Sequence, residues 1–353
     1  MTGQYRLRRL LGLAAKLLGT VVLIVVLAGV TYEQVGERRD RQRLPQIGRS
    51  VDIGGRSLNI LCSGEGSPAV ILDSGNSDPG YAWTEIQPEI AKFTEACWFD
   101  RAGEGWSDPG PFPRTSATMS AELHELLHRA GIPPPYVLVG HSLGGLNARV
   151  YYGMYPNEVA GAVLVDAAHE DEPKRAPPFM LGHTAPRYLW HPIWIVAQTA
   201  RLLGVIRLLT AREQLPTDPA QRTRDQVIRA LRGQPKAIAA QFDATLPESY
   251  AQAAAAGGFS DRPLIVLTRG KAKLPPNPTA EDREWIAYEQ VWMHEIQPKL
   301  ARLSTRGRQI VLEQSGHEIP RGAPDAVIAA AREVVVDIRT QPAPTSPRSS
   351  TPP

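Results

Sequence analysis

The chain is short of several things, and each shortage removes a class of function. Cysteine is nearly missing: Cys62 and Cys97 are the two among 353 residues. They lie in no C-x-x-C or metal-ligand spacing, so neither zinc binding nor dithiol redox chemistry is expected, and no metal or cofactor is. An excess of one charge is missing too, since 39 Lys and Arg face 36 Asp and Glu for a net charge of +3. The basic residues are dispersed rather than striped with aromatics, which gives nucleic-acid binding no support. No internal repeat is visible, and one stretch alone is apolar over a membrane-spanning length.

That stretch, Leu10 to Tyr32, is interrupted by the single charge of Lys16. As a helix it is long enough to cross a hydrocarbon core of about 30 Å. Arg6, Arg8 and Arg9 precede it, so the positive-inside rule puts residues 1–9 in the cytoplasm and the rest of the chain on the extracytoplasmic side. Arginines 38, 39, 41 and 43 oppose that orientation and are partly offset by Glu33, Glu37 and Asp40. An uncleaved single-pass anchor in the cell membrane is the preferred reading. The alternative is a signal peptide cut near Ala28, which would release the protein. Residues 33–49 read as a charged stalk in which Pro45 argues against a continuous helix.

A globular region starts near residue 50. Val51-Asp52-Ile53, Gly54-Gly55 and Leu58 to Leu61 read as a hairpin. Short apolar strands follow at Ala69–Leu72, Cys97–Phe99, Tyr136–Val139 and Ala162–Val165, separated by helical patterns such as Ser120 to Ala130, closed by Gly131. Strands apolar on both faces, alternating with helices, indicate a parallel sheet covered on both sides. From His169 to Asp261 the pattern turns helical and proline-broken, as in an inserted α-helical unit. Its Leu189–Leu209 part is heavily apolar: it is either the insert's own core, or a lid over an apolar pocket or a surface leaning on the membrane. Strands resume at Leu264–Leu267 and Gln309–Leu312, Pro324 to Ile338 forms a closing amphipathic helix, and the Pro/Ser/Thr-rich tail is expected to be disordered.

The chemistry concentrates at Gly140-His141-Ser142-Leu143-Gly144, a G-x-S-x-G between the strand ending at Val139 and a helical pattern through Tyr152. A serine hydroxyl is a poor nucleophile at neutral pH, so it must stand on a sharp turn within reach of a base. The last strand offers one at Ser315-Gly316-His317, just before the closing helix. His317 is the candidate base. His141 would shape the turn or the pocket, His124 and His128 belong to an earlier helix, and His183, His191 and His294 have no motif around them.

Over about residues 50–340 the chain resembles the α/β-hydrolase superfamily. The elbow, the Ser315-Gly316-His317 loop and Asp100-Arg101-Ala102-Gly103-Glu104-Gly105-Trp106-Ser107, close to D-x-R-G-x-G-x-S with Ala102 out of register, carry the likeness. The resemblance implies about eight mostly parallel strands with helices on both faces and a helical cap after the sixth strand. The core would then be residues 50–168 and 262–339, the cap 169–261 and the tail 340–353. It also implies the chain order serine, acid, histidine, and here the sequence departs from the commonest pattern. Gly270-Lys271-Ala272-Lys273 puts lysine where the acid would stand after the seventh strand. Some members take the acid from the end of the sixth strand, which makes Asp166 the candidate, with Glu170, Asp171, Glu172, Glu281 and Asp282 in reserve. The implied oxyanion donors are the backbone amides of Leu143 and Asn76, the latter in a loop where Ser74 replaces the usual histidine. The implied strand order sets Cys62 beside Cys97, as a disulfide in an exported domain or as two buried thiols. The expected function is a serine hydrolase acting on a small carboxylic ester through an acyl-enzyme. Peptidase, lactonase, perhydrolase or C–C hydrolase chemistry, or a non-catalytic binding module on the same scaffold, are the alternatives. Nothing in the sequence speaks to oligomeric state.

Overall fold

The computed structural model describes residues 2–177, 195–196, 199–210, 219–232, 246–271 and 275–340. Its eight strands are β1 (Arg49–Asp52), β2 (Ser57–Ser63), β3 (Ala69–Asp73), β4 (Ala96–Phe99), β5 (Tyr136–His141), β6 (Val159–Val165), β7 (Leu264–Arg269) and β8 (Gly307–Leu312). They form one sheet in the order β1-β2-β4-β3-β5-β6-β7-β8. The β1–β2 and β2–β4 pairs are antiparallel and all others parallel, the mostly parallel eight-stranded sheet that the sequence predicts. Every residue of β3 to β7 is buried. Successive side chains of a strand point to opposite faces, so the unbroken apolar runs feed two cores. Ile71, Leu138, Leu164 and Val266 pack under Leu126, Leu127 and Tyr151, whose helices are Ser116–Ala130 and Leu143–Met154. On the other face Val70, Leu72, Val139 and Val165 meet Val327, Ala331 and Val335 of the closing helix Pro324–Thr340. Cys62 and Cys97 face each other across β2 and β4 and are joined by a disulfide.

Local chemistry sets the helix ends. Thr115 caps Ser116–Ala130 by accepting from the Thr118 amide at 3.2 Å, and Gly131 leaves the helix at φ 75°, a left-handed conformation that glycine adopts freely.

The stalk departs from expectation. One helix, α1, runs from Thr2 to Arg43 and stops just short of Pro45. Its acidic side chains are paired: Glu33 and Asp40 with Arg207, and Glu37 with Arg201. Those arginines belong to the insert between β6 and β7, whose described parts are helical, with Val205–Thr210, Pro219–Arg232 and Leu246–Ala255 as the longer pieces. Residues 189–194, 197 and 198 of the apolar stretch, and the tail after Thr340, lie outside the described residues.

Candidate active site

The elbow is visible in the backbone. Strand β5 ends at His141 and a helix begins at Leu143, leaving Ser142 alone at φ 53°, ψ −114°. A non-glycine residue at such a φ carries strain of about 1–3 kcal/mol, held in place by its surroundings. The Ser142 amide donates to the Val165 carbonyl at 3.1 Å, and the Ser142 carbonyl accepts from Gly145 at 3.0 Å and Ala168 at 3.1 Å. Small residues are required: a Cβ on Gly140 would strike the Gly144 carbonyl, and one on Gly144 the Asp73 carbonyl. The turn is thus wedged between β3 and β6 and lifts the Ser142 side chain off the sheet's C-terminal edge.

Asp166 sits immediately beyond β6, fully buried and at φ 42°. Four donors saturate its carboxylate. Oδ1 accepts from Trp292 Nε1 at 2.8 Å and from the Arg269 amide at 3.1 Å, while Oδ2 accepts from an Arg269 guanidinium nitrogen at 2.6 Å and lies 2.6 Å from His317 Nδ1. Burial alone would raise its pKa, but the charge of Arg269 and the bond to His317 outweigh it and hold the carboxyl well below the ordinary range. Burial likewise works against a charged His317, and the Asp166 hydrogen bond and charge reverse the sign, so the imidazole is raised above 6.5. Its carbonyl accepts from His141 Nε2 at 2.9 Å. Burial, followed by the charge of His317, keeps the pKa of His141 below its ordinary value, which suits it to fixing the loop rather than to moving protons.

Ser142, Asp166 and His317 line one cavity of about 170 Å³ together with Glu172, Trp285 and Trp292. Among the described residues no hydrogen bond joins Ser142 to His317, a looseness common in sites without substrate. The reserve carboxylates do not line this cavity, with one exception. Glu170 forks onto Arg149, Asp171 pairs with Lys174 and Lys299, Asp282 caps a helix through Thr279, and Glu281 is exposed. Glu172 does face the cavity, where burial raises its pKa and Tyr250 donates to it at 2.9 Å. Lys273, at the position of the commoner acid, lies outside the described residues, as do His183 and His191.

Sequence reading missed the residues that hold Asp166. Arg269 closes β7, bonds Glu289 through Nε at 2.8 Å and stacks over Trp292 with its guanidinium carbon 4.5 Å from the ring centre. Trp292 opens a π-helical turn, Trp292–Ile296, inserted between two α-helical segments, and its indole N–H donates to Asp166. The available signal was Arg269 itself, a charge ending an otherwise apolar strand.

The loop after β3 is clamped beside the elbow. A Cβ on Gly75 would come within 3.5 Å of the Ser142 Cβ, so this loop passes directly against the serine. Buried Arg101 holds it, donating to Asp73 Oδ1 and the Ser74 carbonyl at 2.6 Å each and to the Gly75 carbonyl at 2.5 Å. Asp73 also accepts from Asn147 at 2.9 Å. The Asp100–Ser107 segment therefore acts as a scaffold for the loop. With Asp73 and Glu104 sharing one guanidinium, burial pushes Glu104 up to about 7 despite Arg101. Among the described residues, no turn or loop hydrogen bond uses the amides of Leu143 or Asn76.

Residues 68–258 match the family model described as alpha/beta hydrolase fold. Among curated proteins the chain is 26% identical over 151 residues to the uncharacterized protein YbdG of Bacillus subtilis, covering 42% of this chain and 46% of that one, so it spans less than half of that relative. Among solved structures, the epoxide hydrolase CorEH superposes with a TM-score of 0.60 at 18% identity, covering 83% of this chain and 99% of that one. A thermophilic esterase from Thermogutta terrifontis superposes with a TM-score of 0.54 at 20% identity, covering 84% and 100%.

Proposed function

The chain belongs to the alpha/beta hydrolase fold family, and we propose that it is a serine hydrolase that cleaves carboxylic esters of small molecules through an acyl-enzyme on Ser142. The observation that carries this reading is the convergence of three side chains on one cavity: Ser142 on its strained turn, His317 above it, and Asp166 bonded at 2.6 Å to the far nitrogen of that imidazole.

With Nδ1–H donated to Asp166, His317 presents Nε2 as the base. Ser142 Oγ attacks the acyl carbon while its proton passes to Nε2, and Asp166 stabilises the imidazolium that results. The oxyanion develops toward the amides of Leu143 and Asn76, where a fixed donor is worth about 3 kcal/mol. Collapse expels the alcohol, which takes the proton from His317, and water then cleaves the acyl-serine by the same route. A serine nucleophile also argues against epoxide or haloalkane opening, since attack at an alkyl carbon would leave a serine ether that water does not hydrolyse. In this reading residues 50–168 and 262–339 form the catalytic core, residues 169–261 the cap, and residues 10–32 a membrane anchor with the core outside; the exposed apolar surface of α1, whose most apolar 18-residue window has a mean hydropathy of 2.6, supports the anchor.

A fluorophosphonate probe tests the proposal on the full chain in detergent. Labelling that disappears in Ser142→Ala is expected. A folded protein that takes up no label would overturn the reading in favour of a binding module.

A further inference from the structure

Helix α1 is bare over its first part and covered over its last. From Leu10 to Leu27 its large apolar side chains are exposed, and contact with the rest of the protein begins at Gly29 and Val30. A Cβ on Gly29 would come 2.6 Å from the Leu203 carbonyl, and one on Gly204 would come 2.7 Å from the Tyr32 ring. Leu203 and Gly204 are the bend between two helical pieces, residues 199–202 and Val205–Thr210, so the tip of this hairpin touches α1 at residues 29–32. Gly29 stands about 29 Å along the helix from Leu10 at about 1.5 Å per residue, the depth of one hydrocarbon core. The tip therefore meets α1 where the bilayer would end.

The hairpin is also inverted in polarity. Its charged side chains face the protein: Arg201 reaches Glu37, and Arg207 reaches Glu33 and Asp40. Its apolar side chains face out, with Leu202 54%, Leu208 51% and Leu209 62% exposed, and Val205 is exposed too. A helix of a water-soluble surface does the opposite. From the inverted faces and the level of contact we infer that the hairpin at residues 199–209 lies in the interfacial layer of the leaflet that α1 exits, with its apolar face among lipid acyl chains. Interfacial helices bury such a face by about 5–10 Å into the headgroup and acyl boundary. The catalytic core is then held to the bilayer at two points, which fixes its orientation. The inference rests on α1 spanning the membrane.

The experiment uses the full chain in phosphatidylcholine vesicles, with the fluorophore nitrobenzoxadiazole on a single introduced thiol, since Cys62 and Cys97 are paired. Leu208→Cys carries the test, Leu18→Cys reports on the anchor and exposed Val336→Cys is the aqueous control. Emission at 208 is expected to fall with lipids spin-labelled near the headgroup and to resist aqueous iodide; emission at 18 should fall with deeply labelled lipids and that at 336 with iodide alone. Quenching at 18 but iodide access at 208 would overturn the inference while leaving the anchor standing. Protection at 208 from lipid labels and iodide alike would overturn it in favour of a second protein copy. No lipid quenching at 18 would remove the anchor reading and this inference with it.

Discussion

Replacing Asp166 by asparagine exchanges one oxygen for an amide nitrogen and leaves the shape unchanged. The remaining oxygen is best kept at the Oδ1 position, where Trp292 Nε1 and the Arg269 amide already donate. The new NH2 then faces a guanidinium nitrogen of Arg269 and His317 Nδ1, which lie 2.6 Å away on the carboxylate side. Two donors cannot satisfy each other, so His317 must offer Nδ1 as an acceptor and carry its proton on Nε2, the nitrogen needed as base. In a Ser-His-Asp triad this tautomer change lowers kcat about 10,000-fold, or about 5 kcal/mol of transition-state stabilisation. The assay is kcat on a short-chain nitrophenyl ester, with Glu172→Gln as the comparison because Glu172 shares the cavity. Asp166→Asn should nearly abolish kcat in a protein that still melts cooperatively, at a lower temperature because the Arg269 guanidinium loses an acceptor, and Glu172→Gln should retain most of it. A folded Asp166→Asn protein within tenfold of wild type, or a larger loss in Glu172→Gln, would refute the assignment of the acid.

In the proposed mechanism the neutral imidazole is the working base and Asp166 raises its pKa above 6.5, so activity should rise with pH through a midpoint above that value, and a kcat/KM profile with its acidic limb below it would contradict the coupling. Arg101→Lys cannot hold Asp73 and the Ser74 and Gly75 carbonyls together, so kcat should fall toward about 100-fold, the effect of losing one oxyanion donor, with KM little changed. The Cys62–Cys97 link closes a sequence separation of 35, so its double alanine variant should lose about 3–4 kcal/mol in urea unfolding by the chain-entropy relation. An unchanged midpoint would show that the strand pairing of β2 and β4 needs no tether.

What could be read in the chain depended on how far apart the interacting residues lie. The turn at Ser142 was legible because strand, small residues and helix follow one another within a few positions, and steric demands at Gly140 and Gly144 act locally. The parallel sheet was legible for a similar reason, since strands buried on both faces must be apolar throughout. The helical stalk was not. Its charges look like a break until Arg201 and Arg207, more than a hundred residues later, are brought against Glu33, Glu37 and Asp40. Likewise, no local pattern joins Arg269 to Glu289 and Trp292, because a strand end, a helix and a π-turn meet only after folding.

For the proposed triad, that meeting explains how an acid just beyond β6 can act on His317. Strands β6 and β7 are paired in register, Val165 beside Leu267, and the Asp166 amide donates to the Leu267 carbonyl at 2.7 Å, so a carboxylate at the end of either strand can reach the same histidine. Arg269, the last residue of β7, meets Asp166 there. A lone buried cation there would oppose the imidazolium that forms during proton transfer, and its contact of 3.4 Å with His317 Nδ1 is close enough to matter. Glu289 answers it. With one cation between two carboxylates the cluster keeps a single net negative charge, and because Asp166 is the member bonded to Nδ1, that charge is presented where the imidazolium develops. The arrangement gains a fixed carboxylate from Arg269 while Glu289 removes the electrostatic penalty, which is why the three residues have to be read as one device.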